Sequence, residues 1–233
     1  MTLGLAVACG RAAVHDPAVR RLLSGLEAGT YAVISTDAGE IVARLDLDRA
    51  PLTCANFMGL AEGTKPFVEK GTLRLVSRPY YDGLIFHRVY EDSAIVGGDQ
   101  FGLGTGGPGY TIPLEIDPGL KFDKPGVLAM WRQGMEVNGS QFFITVQADP
   151  ASDGMYNIFG RVARGLDVVT TISRTAVGLW DRPLNDQVMR SVRIYRIERG
   201  GRLTASPPPP EVESLDEMPD IVRETIRLGD RVR

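Results

Sequence analysis

The feature that most constrains the fold of this chain is the shortness of its β-prone runs. Apolar and β-branched residues gather in stretches at 31–36, 40–45, 80–89, 127–131, 142–146, 157–162 and 188–198, with glycine and proline frequent in the segments between them. Runs this short and this frequent, with few helical stretches between them, favour a mainly β sandwich or barrel over alternating βα units. Asp37-Ala38-Gly39 lies between the first two runs and reads as a hairpin turn. Three stretches keep a helical period. Asp16-Pro17 supplies an N-cap and a first-turn proline, and Val19, Leu22, Leu23 and Leu26 then recur until Gly29. Residues 48–51 open a second helix in which Cys54, Phe57, Met58 and Ala61 share one face, so Cys54 reads as a small buried hydrophobe and not as a nucleophile. The third spans 166–173. Between 63 and 79 the mixed, basic pattern reads as a surface excursion.

These patterns divide the 233 residues into an N-terminal segment (1–29), one domain (30–200) and a tail (201–233) that holds four consecutive prolines and then five acidic residues between 211 and 220. A net charge of −3 provides no basic field for phosphates, which argues against a nucleic-acid partner. Two cysteines and two histidines cannot build a disulfide framework or a zinc cluster. No apolar run reaches the roughly 18 to 20 residues that a transmembrane helix needs. Leu5-Ala6-Val7-Ala8-Cys9 is similar to the end of a bacterial lipoprotein signal, although the positively charged start is missing. Two readings stay open: a start upstream with Cys9 as a lipid anchor and a periplasmic or envelope location, or a chance match and a cytoplasmic one.

Gly102-Leu103-Gly104-Thr105-Gly106-Gly107 satisfies a dinucleotide fingerprint literally, but Pro108-Gly109 forbids the helix that must follow. It reads instead as a flexible or tightly turned loop permitting close backbone approach. Asn138-Gly139-Ser140 matches a glycosylation acceptor yet runs straight into the apolar Phe142-Phe143-Ile144. With no nucleophile elbow, paired-histidine helix or phosphate loop, covalent and metal chemistry lack support. Arg88 remains, in a distinctive strand, and an arginine seen alone is usually an ion-pair partner.

Five blocks in order resemble the cyclophilin family: Phe86-His87-Arg88-Val89, Gly97-Gly98-Asp99, Gly104-Thr105-Gly106-Gly107, residues 125–130, and Asn138-Gly139-Ser140-Gln141-Phe142-Phe143-Ile144. The excursion at 63–79 points to the bacterial branch. The resemblance implies an eight-stranded antiparallel β-barrel closed by two helices, with a short N-terminal helix and a C-terminal tail outside it. It also implies a monomeric peptidyl-prolyl cis-trans isomerase, without cofactor, that acts on proline-containing peptides or unfolded proteins. Arg88 would be the catalytic group, Gln141 would position the peptide backbone, and Phe143 would seat the proline ring, with Met130, Gly104 and Thr105 also lining the groove. Departures from the family pattern accompany these matches. Ser93 and Ala94 stand where Phe and Met usually wall the pocket, and Val96 stands in place of Gln. Trp131 and Arg132 replace Ala and Asn, while Ser152 and Tyr156 replace Leu and His. Reduced activity is therefore expected, the alternative being a peptide-binding module or chaperone with little or no catalysis.

Overall fold

The computed structural model describes residues 12–134 and 136–205; Cys9 and the proline-rich acidic tail from 206 onward lie outside the described residues. In chain order the elements are β1 (Ala12–Ala13), α1 (Pro17–Leu23), β2 (Gly29–Thr36), β3 (Gly39–Leu45), α2 (Pro51–Glu62), β4 (Phe67–Val68), β5 (Leu75–Val76), β6 (Ile85–Tyr90), β7 (Ala94–Gly97), β8 (Thr111–Ile112), β9 (Val127–Gln133), β10 (Glu136–Thr145), β11 (Ile158–Arg164), α3 (Leu166–Ser173), β12 (Gln187–Ile197) and β13 (Leu203–Ala205). Eight strands pair in the order β12-β2-β3-β11-β9-β10-β7-β6, and β6 returns to β12 through Phe86 opposite Gln187 and Ile85 opposite Val188. Every pairing is antiparallel, so this is a closed barrel, and closure leaves none of the eight strands with a free edge.

Period-2 alternation gives the barrel two apolar faces. Along β9, Leu128 and Met130 enter the main core, while Val127, Ala129 and Trp131 join a second cluster on the opposite face of the sheet. Phe57 of α2 anchors the main core, with ring centroids 5.0 Å from Tyr81, 5.5 Å from Phe142 and 5.0 Å from Phe159. Cys54 is buried on the same helix face, its Sγ donating to the Phe159 carbonyl at 3.3 Å, and burial pushes its thiol pKa up to about 12. It is thus the inert small hydrophobe that the helical spacing predicts. The N-terminus of α2 is capped from a distant loop: Glu115 accepts from the amides of Leu52 (3.1 Å) and Thr53 (2.8 Å). A carboxylate placed on these otherwise orphaned donors also opposes the positive end of the helix dipole.

The first helix starts where expected, Asp16 accepting from the Ala18 amide at 2.8 Å, but it stops at Leu23 instead of continuing toward Gly29. Gly25 at φ +74° turns the chain, and Gly29 already opens β2. Leu23 is buried against Tyr31, Val33 and Val42 on the outside of the barrel. β13 pairs with β12 and β1 with β13, so described residues on both sides of the expected 30–200 domain pack onto it. Among the described residues no helix is long and apolar enough to cross a membrane.

Candidate functional site

Strand register lines up the side chains that matter. Arg88 on β6 lies opposite Val96 on β7, Val96 opposite Phe143 on β10, Phe143 opposite Ala129 on β9, and Ala129 opposite Ile158 on β11. Residues paired across neighbouring strands share a face. The row therefore runs from a guanidinium at one end across an apolar floor. Val96, Phe143, Ala129 and Ile158 are buried in one cluster, with Ala94, Trp131 and Tyr156 partly buried against it.

Aromatic rings cover this floor. Phe122 stacks on Phe143 with centroids 5.8 Å apart and planes 7° from parallel, while Trp131 (5.9 Å) and Tyr156 (5.1 Å) meet it edge-on. Phe143 consequently keeps only 7% of its surface exposed. Arg132 donates from Nη1 to the Met155 carbonyl at 2.5 Å and so ties β9 to the loop that carries Tyr156.

The charged end of the row is held differently. Among the described residues Arg88 makes no ion pair. The glycine-rich loop passes directly over it. Gly104 sits at φ +81°, and a Cβ there would lie 3.4 Å from the guanidinium carbon and from His87 Nε2. Glycine thus meets both the backbone conformation and the close approach. The loop is tightly turned around the buried Asp99 carboxylate. Oδ1 accepts from the Phe101 amide, and Oδ2 from those of Leu103, Gly104 and Thr105, at 2.6 to 3.1 Å. His87, packed beside Arg88, has an unpartnered buried Nδ1, and desolvation drives its pKa down to about 4.

Gln141 and Asn138 join this loop to β10. Gln141 is fully buried, its Nε2 donating to the Gly106 carbonyl at 2.7 Å, and its Oε1 has no partner. Asn138 Nδ2 donates to the same carbonyl at 2.9 Å, while its Oδ1 accepts from the Ser140 and Gln141 amides. The amide of the apparent glycosylation acceptor is therefore engaged in holding the site.

Not every expected residue joins the row. Met130 points into the main core instead of the groove, because it alternates with Trp131 along β9. Ser152 occupies a single 3-10 turn and donates to Asp149 Oδ2 at 2.5 Å. Ser93 is a turn residue whose amide bonds the Tyr90 carbonyl and whose carbonyl accepts from Val146. Thr105 is exposed, contributing its amide to Asp99. Two residues were not singled out as site residues from the sequence. Phe122 is the lone aromatic between Lys121 and Asp123, a position where a buried ring is the unusual outcome. Asp99 stands in a quoted block, and a carboxylate beside six closely spaced glycine-loop residues is the signal for an anchor. A separate cavity of about 300 Å³, lined by residues including Arg20, Leu23, Leu26, Ile197 and Leu203, lies between α1 and the β12–β13 edge and includes no residue of the row.

Comparison with known proteins gives a consistent answer. The family model described as cyclophilin type peptidyl-prolyl cis-trans isomerase/CLD matches residues 31–194. Peptidyl-prolyl cis-trans isomerase A of Mycobacterium tuberculosis is 46% identical over 165 residues, covering 70% of this chain and 91% of the relative. Peptidyl-prolyl cis-trans isomerase B of Streptomyces anulatus is 43% identical, with 70% and 94% covered. A solved cyclophilin type peptidyl-prolyl cis-trans isomerase from Cryptosporidium parvum superposes with a TM-score of 0.62 at 29% identity, covering 72% of this chain and 98% of that one. The same protein solved in the presence of the dipeptide Ala-Pro gives a TM-score of 0.60.

Proposed function

Since the chain belongs to the cyclophilin-type peptidyl-prolyl cis-trans isomerase family and is an isomerase of that class, we propose that it acts on X-Pro bonds of exposed peptide and unfolded-protein segments, as a monomer, with Arg88 as its catalytic group and with reduced activity. The observation that carries this reading is the register row, which sets an unpaired guanidinium at one end of a shared face and the Phe143 seat two strands away.

The barrier to X-Pro rotation, roughly 20 kcal/mol, comes from resonance that delocalises the prolyl nitrogen lone pair into the carbonyl. Rotation breaks no bond and needs no proton transfer. A site accelerates it by favouring the twisted amide, in which the lone pair is localised on nitrogen. In this reading Arg88 donates to the prolyl carbonyl and toward that nitrogen, a preorganised donor aimed at the charge that shifts as the amide twists. The glycine-rich loop above it and the apolar row beside it lower the local dielectric, so the donor counts for more than it would in water. Phe143 offers the ring a hydrophobic seat, and Val96 supplies no side-chain hydrogen bond. Reduced activity follows from the aromatic cover: a proline must displace or slide beneath Trp131 and Tyr156 to reach Phe143.

Exchange NMR on a short X-Pro peptide tests the reading without a coupled protease. The wild type should accelerate cis-trans exchange, and Arg88→Ala should lower turnover about a hundredfold, as removal of one preorganised donor does elsewhere. The burial of Phe143 favours a second reading, a peptide-binding module. Wild-type exchange no faster than that of free peptide, in protein shown to be folded by circular dichroism, would favour that module.

A further inference from the structure

Beyond the register row lies an apolar surface that the isomerisation of a minimal peptide does not use. Between α3 and β12 the chain forms a small hairpin in which Val177 bridges Pro183, the Gly178 amide donates to the Arg182 carbonyl at 2.8 Å, and the Leu184 amide donates to the Ala176 carbonyl at 2.8 Å. Its tip is the single 3-10 turn Leu179–Asp181, where two consecutive non-glycine residues, Trp180 (φ +62°) and Asp181 (φ +56°), adopt the left-handed region. That conformation is unfavourable for L-residues and rare in pairs. Held this way, Leu179 is 85% exposed, Trp180 81% and Leu184 68%. Leu184 packs at the base of the same hairpin, its Cδ2 only 3.1 Å from where a Cβ on Gly178 would sit. Isolated exposed leucines are ordinary, but a tryptophan and two leucines grouped on a strained turn form a patch of the kind that marks an interaction site.

The location of the hairpin identifies what covers it. Its tip packs against β6, the strand of Arg88. Arg182 donates to the Gly102 carbonyl at 2.6 Å and is braced by Asp186 at 3.1 Å, which docks the hairpin onto the glycine-rich loop. The next residue, Leu103, has its amide fixed to Asp99 and is 65% exposed, and a Cβ on Gly104 after it would lie 3.4 Å from the Arg88 guanidinium. The exposed apolar residues Leu103 and Leu179, Trp180 and Leu184 therefore lie on two segments docked together by Arg182, next to the strand that carries Arg88.

We propose that Leu103, Leu179, Trp180 and Leu184 form a secondary subsite that takes an apolar side chain of the same polypeptide whose X-Pro bond sits at Arg88. This rests on the reading of the row as the isomerase site. At about 3.3 Å of extended chain per residue, apolar residues placed three to six positions from the proline probe a surface roughly 10 to 20 Å from Arg88. The subsite gives unfolded chains, which expose apolar side chains near their prolines, an advantage over short or polar peptides. It also offsets in part the affinity lost where Phe143 is covered.

The test compares two peptides on the full chain by exchange NMR: a minimal X-Pro tetrapeptide, and longer X-Pro peptides with one Leu or Phe placed three to six residues to either side. The expected result is that Trp180→Ser and Leu179→Ser leave tetrapeptide exchange unchanged and raise KM for the best flanked peptide about five- to tenfold. Binding is read independently from Trp180 fluorescence in a Trp131→Phe background, with a blue shift expected only for flanked peptides. That measurement separates the two readings: if the wild type fails to isomerise but the flanked peptide still shifts Trp180, the enzymatic reading falls and the subsite stands. Equal affinity of wild type and variants for flanked peptides overturns the subsite, as does an equal loss on both peptides, which makes the hairpin a structural support. Concentration-dependent sedimentation of the wild type that is abolished by Trp180→Ser assigns the patch to a second copy of the chain and also overturns it.

Discussion

Replacing Trp131 by alanine should make the protein a less stable but better isomerase on small peptides. Trp131 meets Phe143 edge-on at 5.9 Å and is partly buried, so the substitution removes an aromatic contact worth about 0.5 to 1.5 kcal/mol together with some buried area. A total loss of roughly 2 kcal/mol is expected, within the ordinary range for such truncations. Phe122 and Tyr156 still pack on Phe143, which keeps the ring in place. A proline ring that gains about 50 Å2 of contact with the uncovered phenyl face, at about 25 cal/mol per Å2, binds about 1.2 kcal/mol more tightly, a factor of about eight. Arg88 lies two strands away and is untouched, so KM should fall several-fold and kcat should stay within about twofold. Exchange NMR at several peptide concentrations gives the two constants, and thermal unfolding gives the stability cost. A lower melting temperature with KM unchanged or raised would refute the inference that Trp131 occupies the proline seat.

Two further outcomes concern the floor of the glycine-rich loop. Burial holds His87 neutral with a pKa near 4, against about 6.5 in the unfolded chain, so the unfolded state binds more protons between those values and stability falls as pH drops through that window. The cost approaches about 3 kcal/mol by pH 4; urea unfolding at pH 7 and 4.5 should show a smaller drop for His87→Gln, while Glu69 and Asp123, held low by hydrogen bonds from Arg78 and Arg161, act equally in both proteins and cancel. Asp99→Asn replaces an acceptor-only group facing four amides with one that presents donors, and should cost about 2 to 3 kcal/mol, speed amide exchange at 101–105 and lower kcat; unchanged exchange there counts against Asp99 as the anchor of the loop.

A mainly β sandwich or barrel was legible because strand-length apolar runs, the Asp37-Ala38-Gly39 turn and the glycine-proline punctuation are local signals, and β2, β3, β9, β11 and α3 lie close to where those signals put them; the closed eight-stranded barrel was legible only through the family resemblance. Ends were less legible. Leu26 continues the helical period past Leu23, yet α1 stops there because Gly25, just beyond the Ser24 cap, turns the chain at φ +74°, and Gly29 then opens β2 opposite Ile197. β13 is three residues long and becomes a strand only by pairing with the end of β12, a contact without a periodic signature. Within the site, the family resemblance named Arg88, Gln141 and Phe143 and also assigned Met130 to the groove, because a motif match does not say which face a strand residue takes. The alternation along β9 decides that, and it gives the groove to Trp131.

The departures from the family pattern are not independent of one another. Ser93 and Ala94 remove two large side chains from one side of the seat, and sequence alone makes that a thinned pocket, to be repaired by restoring Phe and Met. In the folded protein Phe143 is covered by other rings, since Phe122 stacks on it and Trp131 and Tyr156 meet it edge-on. Ala94 already packs against this cluster. Adding methionine at 94 with Trp131 in place therefore presses bulk into an occupied space, and overpacking of that kind costs about 1 to 3 kcal/mol. The charged end of the row, fixed by the β6–β7 register and the Asp99-anchored loop, is supported by none of the substituted side chains except Val96, whose contribution there is its strand pairing. Substrate affinity and amide twisting are accordingly governed by separate parts of the barrel. Changes at 93, 94, 131 and 156 should act through KM, and changes at 88, 99 and 104 through kcat.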